Sequence, residues 1–489
     1  MKPLRTITNY IPLMNSQTAA TIKMLMDKSK NYADLVNEFC EMVCAEDSPD
    51  DAVFLATYYA NELYDYSTLD RIAKRYGKLQ IIRPILFIAS SHQGERVEWD
   101  KAREAADIAL SHNLSEWLSA EMLLCKLMVD VQDYPGKQPG FKDRESLELL
   151  ISNNPALKCL EARLFDILSH ISLIEGDPLA GFNYNEKALV LARQFEDDLL
   201  LGNLLRMKAF FIQSSNPVQA KALLLKAKEI MTELGDRNAL NNIFNDLGNL
   251  DAVRGEYSSA INNTLLAIEI RQKLGLPIGH MSHPMSTLYN AIGDYEAGLE
   301  WARLAEADLP NQKSLIPYAL LNQAWSLIYL GQSSNAEEII DIVREDVLKS
   351  GMEPSLAWYY FVCGISEMAR GDLHTAVQSF EQAFDINQRS GRLVRMNLCR
   401  HKLAEVEIEF LQSNNINDAT PFLNRLEEVA RSEDFPGILG QALLLRCKLN
   451  ILRGNVTEAR NLLLEVDRLA KEPSMNFLNQ ELDRLSRII

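Results

Sequence analysis

Cys40 and Cys44 stand one helical turn apart and offer two thiolates to a metal ion. No histidine or third cysteine accompanies them in sequence, so a pair of buried core cysteines is the competing reading. His280 and His283, in HMSH, form a second pair of candidate ligands. Pro284 follows directly and predicts a helix start there, with Ser282 or His283 as its cap and the histidines in a solvated loop. Ser67 to Gly77, STLDRIAKRYG, has the look of the first part of a helix-turn-helix, but the IIRPILFIA after it is too apolar for an exposed recognition helix. No two of the 22 glycines are separated by a single residue, which excludes GxG dinucleotide and kinase-type loops. A GxxxxGK loop, HExxH and GxSxG are absent as well. The residues predict no catalytic constellation, no cofactor and no enzyme.

The elements that must position any site belong to one long chain of 489 residues without a Gly/Pro/Ser-rich linker. Hydrophobic residues at 47% and charged residues at 24% exclude disorder as the main state. Fifty Lys+Arg against 67 Asp+Glu leave a net charge of −17, which repels a nucleic-acid backbone or an anionic membrane. Seven scattered cysteines without a CxxC pair predict a reducing, cytoplasmic compartment. The N-terminus lacks the apolar core of a signal peptide, and the apolar run Ile81 to Ala89 is too short to span a membrane and is broken by Arg83 and Pro84.

A fixed period organises most of the chain. Gly176, Ser215, Gly255, Gly293, Gly331, Gly371, Asn414 and Gly454 recur 38 to 43 residues apart and read as the left-handed turn that ends the first helix of a pair. Five residues later come Gly181, Ala220, Ala260, Gly298, Ala336, Ala376, Ala419 and Ala459, small because two helix backbones approach there. Two helical turns further on are Ala188, Ala227, Ala267, Ala305, Val343, Ala383, Leu426 and Val466. On the first helix the small position falls at Ser169, Gly248, Ser286, Ala324, Gly364, Ala404 and Cys447. Upstream the pattern decays, although Ala102 and Ala109 repeat the Ala pair, and YPGKQPGFKD reads as a protruding loop. The chain is expected to divide into degenerate hairpins over 1–156, eight repeats over 157–470, and a capping helix over 471–489 with Phe477, Leu478, Leu482 and Leu485 inward.

LGNLDAVRGEYSSAINNTLLAIEI, AWSLIYLGQSSNAEEIIDIV, MARGDLHTAVQSFEQAFDI and ILRGNVTEARNLLLEV carry a resemblance to the tetratricopeptide repeat. It is closest to the longer variety, about 40 residues, in the sensor domain of maltose-regulon-activator-type (large LuxR-family) transcriptional regulators. The resemblance implies an all-α, right-handed superhelical α-solenoid of antiparallel helix pairs. Those regulators also carry a nucleotide-binding domain and a helix-turn-helix domain, neither of which is identifiable here.

In such a superhelix the first helix of each pair lines the concave face. The frame then places Asn238, Asn242, Asn245 and Asn249 in the groove, an amide ladder of poor helix formers. These amides would hold the backbone of an extended peptide, as in peptide-pheromone receptors built from such repeats, or simply form a solvated polar face. Tyr318, Trp325, Trp358, Phe361 and Met368 follow as aromatic and Met anchors, unless packing between repeats buries them. Arg395 and His401 form a cationic spot for an acidic partner or carboxylate terminus, or a solvated helix face. The expectation is a non-catalytic protein- or peptide-binding scaffold in a regulatory or assembly complex. The alternative is a sensor whose groove takes a peptide or small-molecule effector and acts through protein contact.

Overall fold

The structure, a computed structural model, describes residues 9–92, 98–132, 141–276, 278–308, 315–350, 352–413 and 418–489. Over these the chain is 84% helical without a strand, and consecutive helices pack in adjacent pairs, an all-α tetratricopeptide-like solenoid architecture. Typical pairs are Leu160–Ile174 with Pro178–Gln194, Gly279–Ile292 with Tyr295–Asp308, and Glu353–Ala369 with Leu373–Arg389.

Local sequence explains where the helices begin and end. Asn15, Asn31, Asp65, Asp177, Asp197, Asn216 and Asp372 each accept a hydrogen bond from a backbone N–H in the first turn of the helix they precede. Gly176, Gly255, Gly293, Gly331, Gly371 and Gly454 all sit at positive φ, as the period requires of the turn position. Ser215 turns the chain without a positive φ, and Asn414 lies outside the described residues, as does most of YPGKQPGFKD.

The small positions are the helix contacts. Ala188, Ala220, Ala227, Ala260, Ala267, Ala305, Ala336, Ala376, Ala383 and Ala459 are completely buried, as are Ser169, Ser286, Ala324, Ala404 and Cys447 on first helices. Ala419 departs from the frame: the helix begins at Pro421, so Ala419 is an exposed turn residue, and Leu423 and Leu426 make the contact instead. The expected loop around His283 is also corrected. The helix starts at Gly279 and takes Pro284 inside it, Ser282 is fully buried against the Ile278 carbonyl, and the His283 ring stacks on Tyr318. Cys40 is buried with its thiol directed at the Ala56 carbonyl, and no cluster among the described residues could hold a metal. Burial pushes the Cys40 thiol well above its ordinary pKa.

The helices gather into two compact units, Met1–Ile243 and Phe244–Ile489, a division set by packing that falls inside the helix Arg237–Val253. Each unit folds back on itself. In the first, an added Cβ at Gly235 would lie 3.1 Å from the Asn31 amide nitrogen and 3.2 Å from the Ala33 Cβ. Asn9 Nδ2 donates to the Phe195 carbonyl at 2.9 Å, and Tyr10 packs on Trp117. In the second, the Gly437 N–H donates to the Arg254 carbonyl at 3.2 Å and Asn397 Nδ2 to the Val253 carbonyl at 3.0 Å. Tyr257 packs on Phe477 at 5.3 Å, so one apolar cluster joins residues from Ala252 to Leu288 with residues from Ala404 to Leu449. The C-terminal segment is a 3-10 turn, Pro473–Leu478, followed by the helix Asn479–Ser486; Leu478, Leu482 and Leu485 are buried and Phe477 is half-buried.

Candidate functional site

The second unit contains a cavity of about 690 Å³. Its walls come from the first helices Gly279–Ile292, Ile316–Tyr329, Leu393–Ser413 and Pro436–Leu452, and its rim from the C-terminal segment. Trp325, Leu398, Leu444, Leu445 and Phe477 supply apolar surface, and Gln441 and Asn290 supply amides. Its size falls within the range of ordinary ligand pockets.

An ion pair between the buried Lys402 and the half-buried Glu405 anchors one wall. Lys402 Nζ lies 2.6 Å from Glu405 Oε2 and 2.8 Å from the Tyr329 hydroxyl, over a Tyr329 ring that stacks flat on Tyr295 at 4.3 Å. Burial opposes the charge on Lys402, but Glu405 and the two tyrosines hold its pKa above the ordinary value. Burial likewise pushes Glu405 upward, and Lys402 with His401 outweighs it and holds the carboxyl low. His401, 3.8 Å from Glu405, is pushed below its ordinary pKa by burial, with Glu405 pulling the other way. The wall therefore carries a closed pair and a histidine biased to the neutral form.

The cavity walls carry four full cations, Lys402, Lys448, Arg484 and Arg487, against three acids, Glu405, Glu481 and Asp483. Arg484 pairs with Glu481 at 3.2 Å, whereas the half-buried Lys448 and the exposed Arg487 make no ion pair among the described residues. In a chain of net charge −17 this is a local cationic excess.

The structure separates the residues that the sequence placed in one groove. Only Trp325 and His401 border this cavity. Asn238, Asn242 and Asn245 are half-buried and Asn249 is exposed along Arg237–Val253; Asn242 accepts from the buried Asn241 at 3.1 Å, while the amides of Asn245 and Asn249 make no hydrogen bond among the described residues. The aromatic stripe is packed between repeats: Trp325 and Trp358 are 1% exposed, Phe361 0% and Tyr318 7%. Trp358 and Phe361 stack at 4.9 Å, and Trp325 meets both edge-on, so these rings form the core of three successive pairs and present no anchor surface. Met368 is half-buried against the same core. Arg395 is likewise spent internally: its guanidinium lies 4.8 Å from the Tyr318 ring and 4.9 Å from that of Trp358, and Nη1 donates to the Pro354 carbonyl at 3.0 Å. An exposed cationic spot at Arg395 is therefore corrected to a staple between repeats.

Sequence reasoning missed the residues that do open onto the cavity, Gln441, Lys448 and Arg487 among them. Lys448 lies on the first-helix face that the period identifies, and Arg487 on the polar side of the segment read only as a cap. Buried asparagines were missed too. Asn322, fully buried, donates to the His283 carbonyl at 2.9 Å and to Thr287 at 3.1 Å and accepts from the Trp358 indole at 3.1 Å, tying three pairs together.

No known protein-family profile and no curated protein sequence matches the chain. Similar solved structures are tetratricopeptide-repeat proteins. A Rap protein complexed with competence and sporulation factor is 10% identical over 75% of this chain and 99% of its own, with a TM-score of 0.45. A signal-transduction ATPase with a tetratricopeptide-repeat sensor from Pyrococcus horikoshii is 14% identical over 86% of this chain, with a TM-score of 0.36, and the match spans 57% of that protein. Yeast Tom70 is 11% identical over 98% of this chain and 96% of its own, with a TM-score of 0.34. The likeness is one of fold.

Proposed function

We propose that the chain is a non-catalytic binding protein whose second unit holds a segment of a partner protein or peptide against its first helices. The observation that carries this reading is the 690 Å³ cavity, apolar at Leu398, Leu444 and Leu445 and bordered by Lys448 and Arg487, which have no ion-pair partner among the described residues. An apolar side chain followed by a carboxylate matches that arrangement. The amides of Asn245, half-buried, and Asn249, exposed, add a second polar surface suited to peptide backbone. No helix among the described residues is long and apolar enough to cross a membrane. Direct nucleic-acid binding is disfavoured in this reading by the net charge of −17.

The test is capture from the native host with the wild-type chain and with Lys448→Glu/Arg487→Glu. A stoichiometric partner lost in the double variant supports the reading; a partner retained at equal yield would sink it. Loss of that partner in Asn245→Ala/Asn249→Ala would extend the surface to the amide ladder. The size of the cavity also favours a second reading, a small-molecule effector that controls a regulator or enzyme through contact. A metabolite released from the denatured protein would select it.

A further inference from the structure

The first unit contains a second, smaller cavity of about 130 Å³, unrelated to the residues of the proposed partner site. At ~30 Å³ per water it holds about four water-sized groups. Three tyrosines, Tyr10, Tyr58 and Tyr59, and three acids, Glu62, Asp166 and Asp197, line it, with Arg163 as the single cation.

Arg163 is already committed. Its Nη1 donates to both oxygens of Glu121, at 2.8 and 2.9 Å, and its guanidinium covers the Tyr58 ring at 4.8 Å. It therefore neutralises Glu121, which lies behind the cavity, and leaves the lining acids in excess. Asp197 caps the helix Asp198–Ile212 through the Leu200 N–H, and the Asp166 carboxylate lies 3.8 Å from His170. Glu62, half-buried, makes no hydrogen bond or ion pair among the described residues. Tyr10 and Tyr59, which line the cavity, are 6% and 2% exposed, and their hydroxyls make no hydrogen bond among the described residues. All of these oxygens can accept hydrogen bonds from a group in the cavity.

We propose that this cavity binds a primary alkylammonium group, the end of a small di- or polyamine or the side-chain ammonium of a lysine. The charge excess of the lining calls for a cation, and the tyrosine rings suit one. The lining oxygens select among cations: a primary ammonium brings three donors, for Glu62 and two phenols, whereas a quaternary ammonium brings none. Four or five heavy atoms fill the volume, which suits an aminobutyl group.

The experiment is calorimetric titration and thermal denaturation of the full chain with 1,4-diaminobutane, with Nα-acetyl-lysine amide, and with 1-butanol as the uncharged control. Saturable binding of an amine with a rise in Tm, absent for butanol and at least about tenfold weaker in Glu62→Gln, is expected. Asp166→Asn, at a half-exposed position, provides a second variant with the same expected direction if Glu62→Gln folds poorly. Tighter binding of the diamine assigns the site to free amines, and tighter binding of the lysine derivative to a partner's side chain. Absence of amine binding at millimolar concentration, binding matched by butanol, or affinity unchanged in both variants overturns the proposal.

Discussion

The hydroxyl of Ser286 donates to the carbonyl of Gly298, twelve residues on, at 2.6 Å. The same bond joins Ser169 to Gly181 at 2.8 Å, and Cys447 Sγ points at the Ala459 carbonyl at 3.6 Å. The small first-helix position thus lets the second helix approach and also ties its backbone. Gly298 is the tightest of these contacts, since an added Cβ would lie 2.2 Å from Asn290 Oδ1. Gly298→Ala is expected to cost ~1–3 kcal/mol in urea unfolding through overpacking. Gly331→Ala, in open space at φ 75°, should cost only ~1 kcal/mol from backbone strain.

Gly437 closes the second unit. An added Cβ would sit 1.9 Å from the Gly255 carbonyl oxygen, which is backbone and has no side chain to swing aside. Gly437→Ala should therefore force the Gly255 turn away, with faster amide hydrogen exchange over residues 252–262 and 436–442 and a stability loss of at least ~2 kcal/mol. Unchanged exchange in both segments would refute the closure.

Arg395 and Trp358 should behave as parts of one packed unit. Arg395→Met removes two cation–ring contacts and the bond to the Pro354 carbonyl, an expected loss of ~1–3 kcal/mol in denaturant unfolding. Trp358→Phe leaves the buried Asn322 oxygen without its indole donor, with a loss of ~1–3 kcal/mol. Partner capture by folded Arg395→Met should be unchanged, because the guanidinium faces the core of its own chain.

Glu62 should give the first unit a pH dependence whose sign follows from its surroundings. Burial raises its pKa from the ordinary 4.5 to about 7; Arg163 opposes the rise, and Asp236, Asp166 and Glu121 add to it. Between those values the folded chain keeps a proton that the unfolded chain has lost, so stability falls as pH rises from about 4.5 to about 7. Glu62→Gln should flatten that fall in denaturant midpoints measured across the window, by on the order of 1 kcal/mol or more. An equally steep fall in the variant would remove Glu62 as its source.

Tryptophan emission provides a direct check of the packing. Trp325 and Trp358, each 1% exposed, should emit at short wavelength and resist quenching by iodide. Trp325 borders the 690 Å³ cavity, so occupancy there should change its emission in a Trp358→Phe background.

The sequence by itself determined the helix pairs, their turns and the faces they bury. Those are local matters: a glycine at positive φ ends one helix, and an alanine two turns into the next admits a close neighbour. Only the tertiary structure decided which first-helix residues remain open. Trp325, Trp358 and Phe361 follow the same period as Lys448, but adjacent pairs press together closely enough to bury the rings and spend Arg395 on them. The return of Gly437 to Gly255, and the gathering of Tyr10, Tyr59, Glu62 and Arg163 around one small cavity, join segments far apart in the chain. A repeat pattern reports each unit against its neighbour, and contacts of that range leave no mark in it.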